Sequence, residues 1–422
     1  MKSLLTPLML ALLAAPAFAQ EKPDADQRIA ELERRLNAMS QELEAQKTGT
    51  AMPVAGETGH FGMAPAASKV YGSKGGLSIG GYGEMLYENF DSKLQNGTYS
   101  PKANTIDFVR QILYVGYKFD ERIVFNTEIE FEHAKTATGS AGEVAVEFAY
   151  LDFLLNPAFN VRAGMVLVPL GFVNELHEPP TYLGAKRPGV EGTIIPTTWR
   201  ENGVGVHGEL PGHFTYRAYL INGLNASKFG ATGIRSGRQN GSKALAESLA
   251  LTGRLDWSPI PGTTFGLGAY TGNSNQSDSG EPIRTTLVEA HAEYRARGLQ
   301  LRGLYTRMTN SENGLTGLAA TSAVKKLGTQ QWGGYLEAGY DVLGLTGSKQ
   351  ALIPYVRWER LNTQQDVVAG VVADLANDQT LITAGVAYKP IPQVAVKLDL
   401  TKAENRARTG RDQVSLALGY YF

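Results

Sequence analysis

Gln413-Val414-Ser415-Leu416-Ala417-Leu418-Gly419-Tyr420-Tyr421-Phe422 is the stretch that decides the fold. In an extended chain successive side chains point to opposite faces. Val414, Leu416, Leu418, Tyr420 and Phe422 therefore share one side, and Gln413, Ser415, Ala417, Gly419 and Tyr421 the other. The same period of two runs backward through the chain. Val394, Val396, Leu398 and Leu400 alternate with Lys397, Asp399 and Thr401. Ile123, Phe125, Thr127, Ile129 and Phe131 alternate with Arg122, Val124, Asn126, Glu128 and Glu130. One apolar face and one charged face per strand means that the two sides of the sheet meet different surroundings.

A soluble sandwich also alternates, so the connections have to decide. Short turns fall at 119–121, 156–157, 211–213, 259–262, 296–298, 343–348 and 389–393. Between them lie long polar links near 91–104, 135–142, 169–200, 225–245, 272–283, 310–328, 362–377 and 403–411. Seven short and eight long connections imply sixteen strands over residues 77–422. An even count with short turns at one end and long loops at the other is the plan of a bacterial transmembrane barrel. Tyr114, Tyr117, Tyr294, Tyr340, Tyr388 and Tyr420 are expected on the outward faces, as girdles at the lipid interface. A sixteen-stranded barrel is wide enough to leave an aqueous lumen.

Composition agrees. Glycine supplies 48 of 422 residues, above the usual ~7%, and tyrosine outnumbers phenylalanine and tryptophan. No stretch approaches the ~18 consecutive apolar residues of a membrane helix. The absence of cysteine excludes a disulfide framework and any thiolate metal site. The net charge is −1, with no basic run dense enough to suggest nucleic acid.

The first 76 residues differ in kind. Met1-Lys2, an apolar run from Leu4 to Ala15 and the small residues Ala17-Phe18-Ala19 form a secretory signal peptide over 1–19. Residues 20–47 hold an amphipathic helix in which Ile29, Leu32, Leu36, Met39 and Leu43 are spaced as the seam of a coiled coil. Residues 48–76, rich in Gly, Ala, Pro and Ser, read as a flexible linker.

The barrel resembles the phosphate-selective porin O/P family of outer-membrane porins. The resemblance is carried by the first strand Gly80-Gly81-Tyr82-Gly83, by Arg162-Ala163-Gly164-Met165 running into Pro169-Leu170-Gly171-Phe172, by the segment from Glu175-Leu176-His177-Glu178 to Thr197-Thr198-Trp199-Arg200, and by the terminal Tyr420-Tyr421-Phe422. It implies a homotrimer in which the third long loop, here 169–200, folds inward to narrow each pore. On that basis Lys186, Arg187, Arg200, Glu175, Glu178 and Glu191 are the expected constriction residues. Phosphate-selective members are rich in lysine there, whereas this loop balances three bases against three acids.

A pore selects through the fixed charges of its wall. The inward faces are expected to carry Arg122, Arg162, Arg217, Arg254, Arg357 and Lys397, opposed by Glu128, Glu130, Glu132, Glu147, Glu289, Glu293, Glu337 and Glu359. The fourth loop adds Lys228, Arg235, Arg238 and Lys243 at the pore mouth, with no acid beside them.

Enzyme motifs occur in the wrong setting. Gly76-Leu77-Ser78-Ile79-Gly80 matches a nucleophile pattern that needs a strand, a sharp turn and a helix, but here it opens a strand. Gly203-Val204-Gly205-Val206-His207-Gly208 is followed by no helix that would bind a pyrophosphate. The histidines at 60, 133, 177, 207, 213 and 291 show no metal-ligand spacing, and His177 beside Glu178 reads as a loop pair rather than a metal site. A plugged transporter needs a plug domain, for which residues 20–76 are too few and too polar.

The expectation is an all-β, sixteen-stranded antiparallel barrel in the bacterial outer membrane, with its N-terminal helix in the periplasm. It would be a passive, water-filled channel for small polar solutes or ions, with anions such as phosphate among the candidates. It would need no cofactor and catalyse no reaction. Its expected partners are two further copies, membrane lipid, and the barrel assembly machinery acting through Phe422. The rival is a structural anchor that tethers the envelope through the coiled coil.

Overall fold

The computed structural model describes residues 59–276, 281–321 and 327–422. The signal peptide and the heptad helix lie outside the described residues. The strands are β1 Gly76–Phe90, β2 Thr105–Lys118, β3 Ile123–Glu132, β4 Val144–Asn156, β5 Phe159–Leu167, β6 Arg200–Leu210, β7 Phe214–Asn222 and β8 Leu249–Trp257. They continue with β9 Thr263–Asn273, β10 Arg284–Ala296, β11 Leu299–Asn310, β12 Gly328–Tyr340, β13 Ala351–Val367, β14 Asp378–Ile391, β15 Val394–Asn405 and β16 Gln413–Tyr421. Each pairs antiparallel with its sequence neighbours, and β1 pairs with β16 to close the barrel. The strand count and all seven short turns are those read from the alternation.

Closure matters because an unpaired backbone N–H or C=O in hydrocarbon costs several kcal/mol. The β1–β16 seam runs from Tyr82↔Tyr421 to Phe90↔Gln413 and is extended by two further bonds. The Phe422 amide donates to the Gly81 carbonyl at 2.9 Å, and the Gly81 amide to the Phe422 carbonyl at 3.1 Å. The glycines of the first strand are required here. A Cβ on Gly83 would lie 2.4 Å from the Tyr420 hydroxyl, and one on Gly81 would lie 2.9 Å from the Phe422 ring. The terminal aromatics thus cover glycines across the seam, a pairing that protects bare backbone.

The two faces separate as the pattern requires. On β16, Val414, Leu416 and Leu418 are exposed on the outer wall while Ser415, Ala417 and Tyr421 are buried inside. On β15, Val396, Leu398 and Leu400 face out while Lys397 and Asp399 face in. Leu251, Leu267 and Leu336, each 60% exposed or more, continue this apolar outer surface around the barrel. It is the surface expected of a wall that meets lipid.

Three expectations are corrected. Tyr114 does not belong to an outer girdle: it is buried on the inner side, stacked on Phe148 at 5.9 Å. It shares parity with the inward Ile112, and its ring fills space that the lumen otherwise leaves open. Arg122 is an exposed residue of the turn before β3, not a wall residue. And residues 59–73, part of the expected flexible linker, are packed inside the barrel. Met63, Ala64, Ala66, Ala67 and Val70 are at most 2% exposed, and a single helical turn covers Lys69–Gly72.

Candidate functional site

The lumen is shaped by the link between β5 and β6, residues 168–199. This loop is not a polar excursion into solvent. Leu170, Phe172, Val173, Leu183, Val190, Ile194, Ile195 and Trp199 are all 5% exposed or less. So much apolar surface is costly in water, at about 25 cal/mol per Å², and the loop buries it by folding into the barrel.

Once inside, its backbone polar groups need partners, and the wall supplies them on every side. The Gly171 amide donates to Glu289 of β10, while its carbonyl accepts from Arg254 of β8. The Pro179 and Gly184 carbonyls both accept from Lys397 of β15, at 2.6 and 2.9 Å. The Ala185 amide donates to Asp399 of β15 at 2.6 Å, and the Val190 amide to Glu359 of β13 at 3.2 Å. Tyr182 donates to Glu84 of β1 at 3.1 Å. Many inward charges are therefore committed to holding the loop.

Residues 59–73 sit beneath it, at the end of the short turns. The Ala66 and Ala67 amides donate to the two oxygens of Glu178, at 3.2 and 2.9 Å. Asn126 donates to the Ala67 carbonyl at 2.7 Å, and Tyr71 to Asp152 at 2.6 Å. Burial pushes the Glu178 carboxyl up to about 7, with the two amides drawing it back.

Of the six expected constriction residues, the three acids and Arg200 are buried, and Lys186 and Arg187 keep surface. Glu175, Glu178 and Glu191 are at most 2% exposed and act as staples. Glu175 lies 3.0 Å from Arg217, and Glu191 accepts from the Val173 amide at 2.7 Å and from Tyr335 at 2.6 Å. Burial raises the Glu191 carboxyl, against the pull of the Tyr335 hydroxyl. A balanced eyelet is therefore not what the loop presents: its acids have no open face. Arg200 opens β6 and is bound to Glu147 at 2.9 Å. Lys186 is exposed, with Glu88 at 2.8 Å, and Arg187 is partly exposed.

The inferred wall charges, Arg122 apart, do face inward, mostly in closed networks. Arg162 binds Asp152 at 2.8 Å; Arg217 and Arg254 bind Asp256, each at 2.8 Å. Arg357 bridges Glu337 at 3.1 Å and Glu359 at 2.8 Å. Glu293 joins Arg302 at 2.6 Å and Arg295 at 2.9 Å. Glu130 lies 3.4 Å from Arg110, and Glu289 holds His291 at 2.8 Å. Sequence reasoning missed Glu84, Arg110, Asp152, Asp256, Arg295 and Arg302. Extending the period of two along β1, β2, β4, β8, β10 and β11 would have placed them on the inner face.

The fourth loop does more than sit at the mouth. Arg235 donates to the Thr197 carbonyl and Arg238 to the Thr198 carbonyl at 2.7 Å, so it folds onto the end of the third loop. Lys228 and Lys243 are exposed. Burial, then the nearby Arg235 and Arg200, push Arg238 down to about 9, still charged at neutral pH. Arg187 and Arg110 act on Arg235 in the same sense. These arginines form a basic edge where the fourth loop meets the end of the third.

His177 is the least expected member of the site. It is 1% exposed, donates from Nδ1 to the Asn174 carbonyl at 2.9 Å, and turns Nε2 toward Glu128 at 3.1 and 3.2 Å. Glu147 is the third group, 3.8 Å from Nε2. The reading of His177 and Glu178 as a simple loop pair is corrected: the two side chains diverge, one to the wall and one to the docked segment.

Space remains on the short-turn side. A cavity of about 420 Å³ is lined by Leu176, Thr181, Glu293, Arg295 and Lys389 among others. A second, of about 280 Å³, reaches His207, Arg217, Arg254 and Asp256. Between Thr181–Leu183 and the β10–β12 wall, a slot lined by Glu293, Arg295, Arg302 and Glu337 holds about 10 Å³, roughly the room of one water molecule. The glycines of both enzyme-like motifs lie within β1 and β6, as strand residues.

No family model matches the chain. A protein of Aquifex aeolicus described as uncharacterized is 37% identical over 373 residues, covering 86% of this chain and 84% of that one. Among solved structures, the anion-selective porin from Comamonas acidovorans superposes with a TM-score of 0.53 at 12% identity, over 82% of this chain and 99% of that one. The outer membrane channel DcaP of Acinetobacter baumannii gives 0.54 at 12%, over 82% and 97%. In-vitro folded OmpT, an outer membrane protein of Vibrio cholerae in trimer form, gives 0.50 at 11%, over 83% and 100%. At these identities the likeness is one of fold.

Proposed function

From a chain that belongs to one family with the Aquifex aeolicus protein, we propose a narrow outer-membrane channel for small polar solutes, with a preference for anions. The observation that carries this reading is the division of charge between the third and fourth loops. Glu175, Glu178 and Glu191 are buried in bonds, as is Arg200, whereas Lys186 and Arg187 of the third loop and Arg235 and Arg238 of the fourth keep surface. A charge within about 10 Å of a passing ion still acts on it at 0.1 M salt. Water and ions pass without chemistry, so no cofactor and no catalytic group takes part. The anion-selective porin and the DcaP channel named above support the class of function. The trimer form of OmpT supports a homotrimer. Residues 59–73 enter at the short-turn end, which faces the periplasm in bacterial barrels, so the heptad helix belongs on that side.

The test is the reversal potential of the purified protein in planar bilayers under a salt gradient. Anion preference is expected, and cation preference overturns it. The segment docked inside the barrel favours a second reading, a structural anchor tethered through the coiled coil. A barrel that inserts and gives no conductance decides for that alternative.

A further inference from the structure

Glu128 on β3, Glu147 on β4 and His177 on the loop bring one oxygen, one oxygen and one nitrogen to within 4.8 Å of one another, all buried. The second atoms of two of these groups are already occupied. His177 Nδ1 must carry a proton, because its partner is the Asn174 carbonyl, which can only accept. That leaves Nε2 for the cluster. Glu147 Oε1 takes the Thr198 hydroxyl at 2.5 Å and Arg200 at 2.9 Å, and its Oε2 has no hydrogen-bond partner although the side chain is wholly buried. A neutral imidazole would turn its lone pair on two carboxylate oxygens. A second proton on the ring would satisfy Glu128 and leave Glu147 Oε2 unmatched. A divalent ion gives all three a partner at once.

We propose that Glu128, Glu147 and His177 bind a divalent transition-metal ion that pins the third loop to the barrel wall. Imidazole with two carboxylates suits zinc and its neighbours rather than calcium or magnesium, which prefer oxygen alone. Ligand atoms about 2.0–2.2 Å from such an ion lie roughly 3.3 Å apart in a tetrahedral site, close to the 3.1 and 3.8 Å from Nε2 to the two carboxylates. The surroundings are those of a built site. A ligating histidine usually gives its other N–H to a carbonyl or carboxylate, as His177 does to Asn174, while Thr198 and Arg200 orient Glu147. The ion would hold the loop next to Glu178, which holds residues 59–73, so one point would anchor both elements inside the barrel. The site stands whether or not the barrel conducts.

The experiment uses untagged full-length protein extracted in detergent, stripped with chelator and dialysed against Zn²⁺ or Co²⁺. Metal is counted by mass spectrometry, and Co²⁺ is followed by its visible absorption. Wild type and the turn variant His213→Gln should retain about one ion per chain, and His177→Gln and Glu128→Gln should bind at least tenfold more weakly, the loss seen when even an outer partner of a ligand is removed. Heat-modifiable migration on gels selects the folded fraction, so that a variant that fails to fold is not scored. The proposal is overturned if folded wild type takes up no ion, or if folded His177→Gln binds as tightly and gives the same cobalt spectrum. In that outcome the cluster is a proton-bridged ion pair.

Discussion

The seam between β1 and β16 and the loop at 168–199 are both held largely by hydrogen bonds, but on opposite principles. Along the seam the bonds repeat: every second residue pair makes the same backbone exchange, and side chains matter through their size, as at Gly81 and Gly83. Along the loop nothing repeats. Backbone groups take individual side-chain partners from the wall, Lys397 of β15 for both Pro179 and Gly184, Asp399 of the same strand for Ala185, and Glu359 of β13 for Val190. A repeating structure tolerates the loss of one unit of side-chain chemistry and fails on bulk. A non-repeating one tolerates neither loss nor exchange of its charges, because a buried charge without its partner is left uncompensated.

The largest effect should therefore come from bulk at the seam. Gly83→Leu sets a side chain against that of Tyr420, whose atoms lie 2.4–2.9 Å from where its Cβ would stand, so the closing strands have to separate to admit it. The heat-modifiable folded form in the membrane should fall sharply; an unchanged yield would show that the terminal aromatics do not pack as described. Next comes charge where the wall holds the loop, as at Arg357 of β13, which also donates to the Lys186 carbonyl at 3.4 Å. Arg357→Met leaves Glu337 and Glu359 short of a cation, a loss of about 3–5 kcal/mol for a buried network. The wall should stay closed while the loop becomes open to protease, and equal protection of loop and wall would erase the contrast. A smaller change is expected from Lys186→Ala with Arg187→Ala, which removes exposed charge and gives up one solvent-exposed wall contact, Lys186 with Glu88. The reversal potential should move toward cations at 0.1 M salt, and less so at 1 M, where screening acts over about 3 Å. No movement at either concentration would remove the basic edge from the selectivity reading. The least effect on the barrel should come from Leu32→Asp with Leu36→Asp. These substitutions place charges in the heptad seam, so self-association of the isolated helix should vanish while the barrel folds as before; loss of the folded barrel would tie the two regions together.

The same contrast explains what could be read in advance. Repetition is legible, and the strand count, the turns and the inward parity of Lys397, Glu128 and Arg357 follow from a period of two. Partner choice is not. Glu128 and Glu147 come from adjacent strands and His177 from a loop, with no spacing that a local pattern would mark. Residues 59–73 misled for a different reason. Ala64, Ala66 and Ala67 look like linker composition, but small side chains also let a backbone approach a carboxylate such as Glu178, and composition does not separate the two uses. Tyr114 was misplaced by residue type, since its parity with Ile112 already pointed inward.

The seam carries one more implication, for assembly in time. Gly81 and Phe422 stand at nearly opposite ends of the described chain, so the last pairing is also the most distant one in sequence, and such contacts are the slowest to form. Until the final strand arrives, both margins of the sheet remain open and the curled sheet is still a cleft rather than a tube. The loop and residues 59–73 can enter that cleft from the side. Once Tyr420 and Phe422 have covered the glycines, those elements would have to thread in from the ends. The long sequence separation of this pairing thus favours filling the interior before sealing it, with the β1–β16 seam acting as the latch.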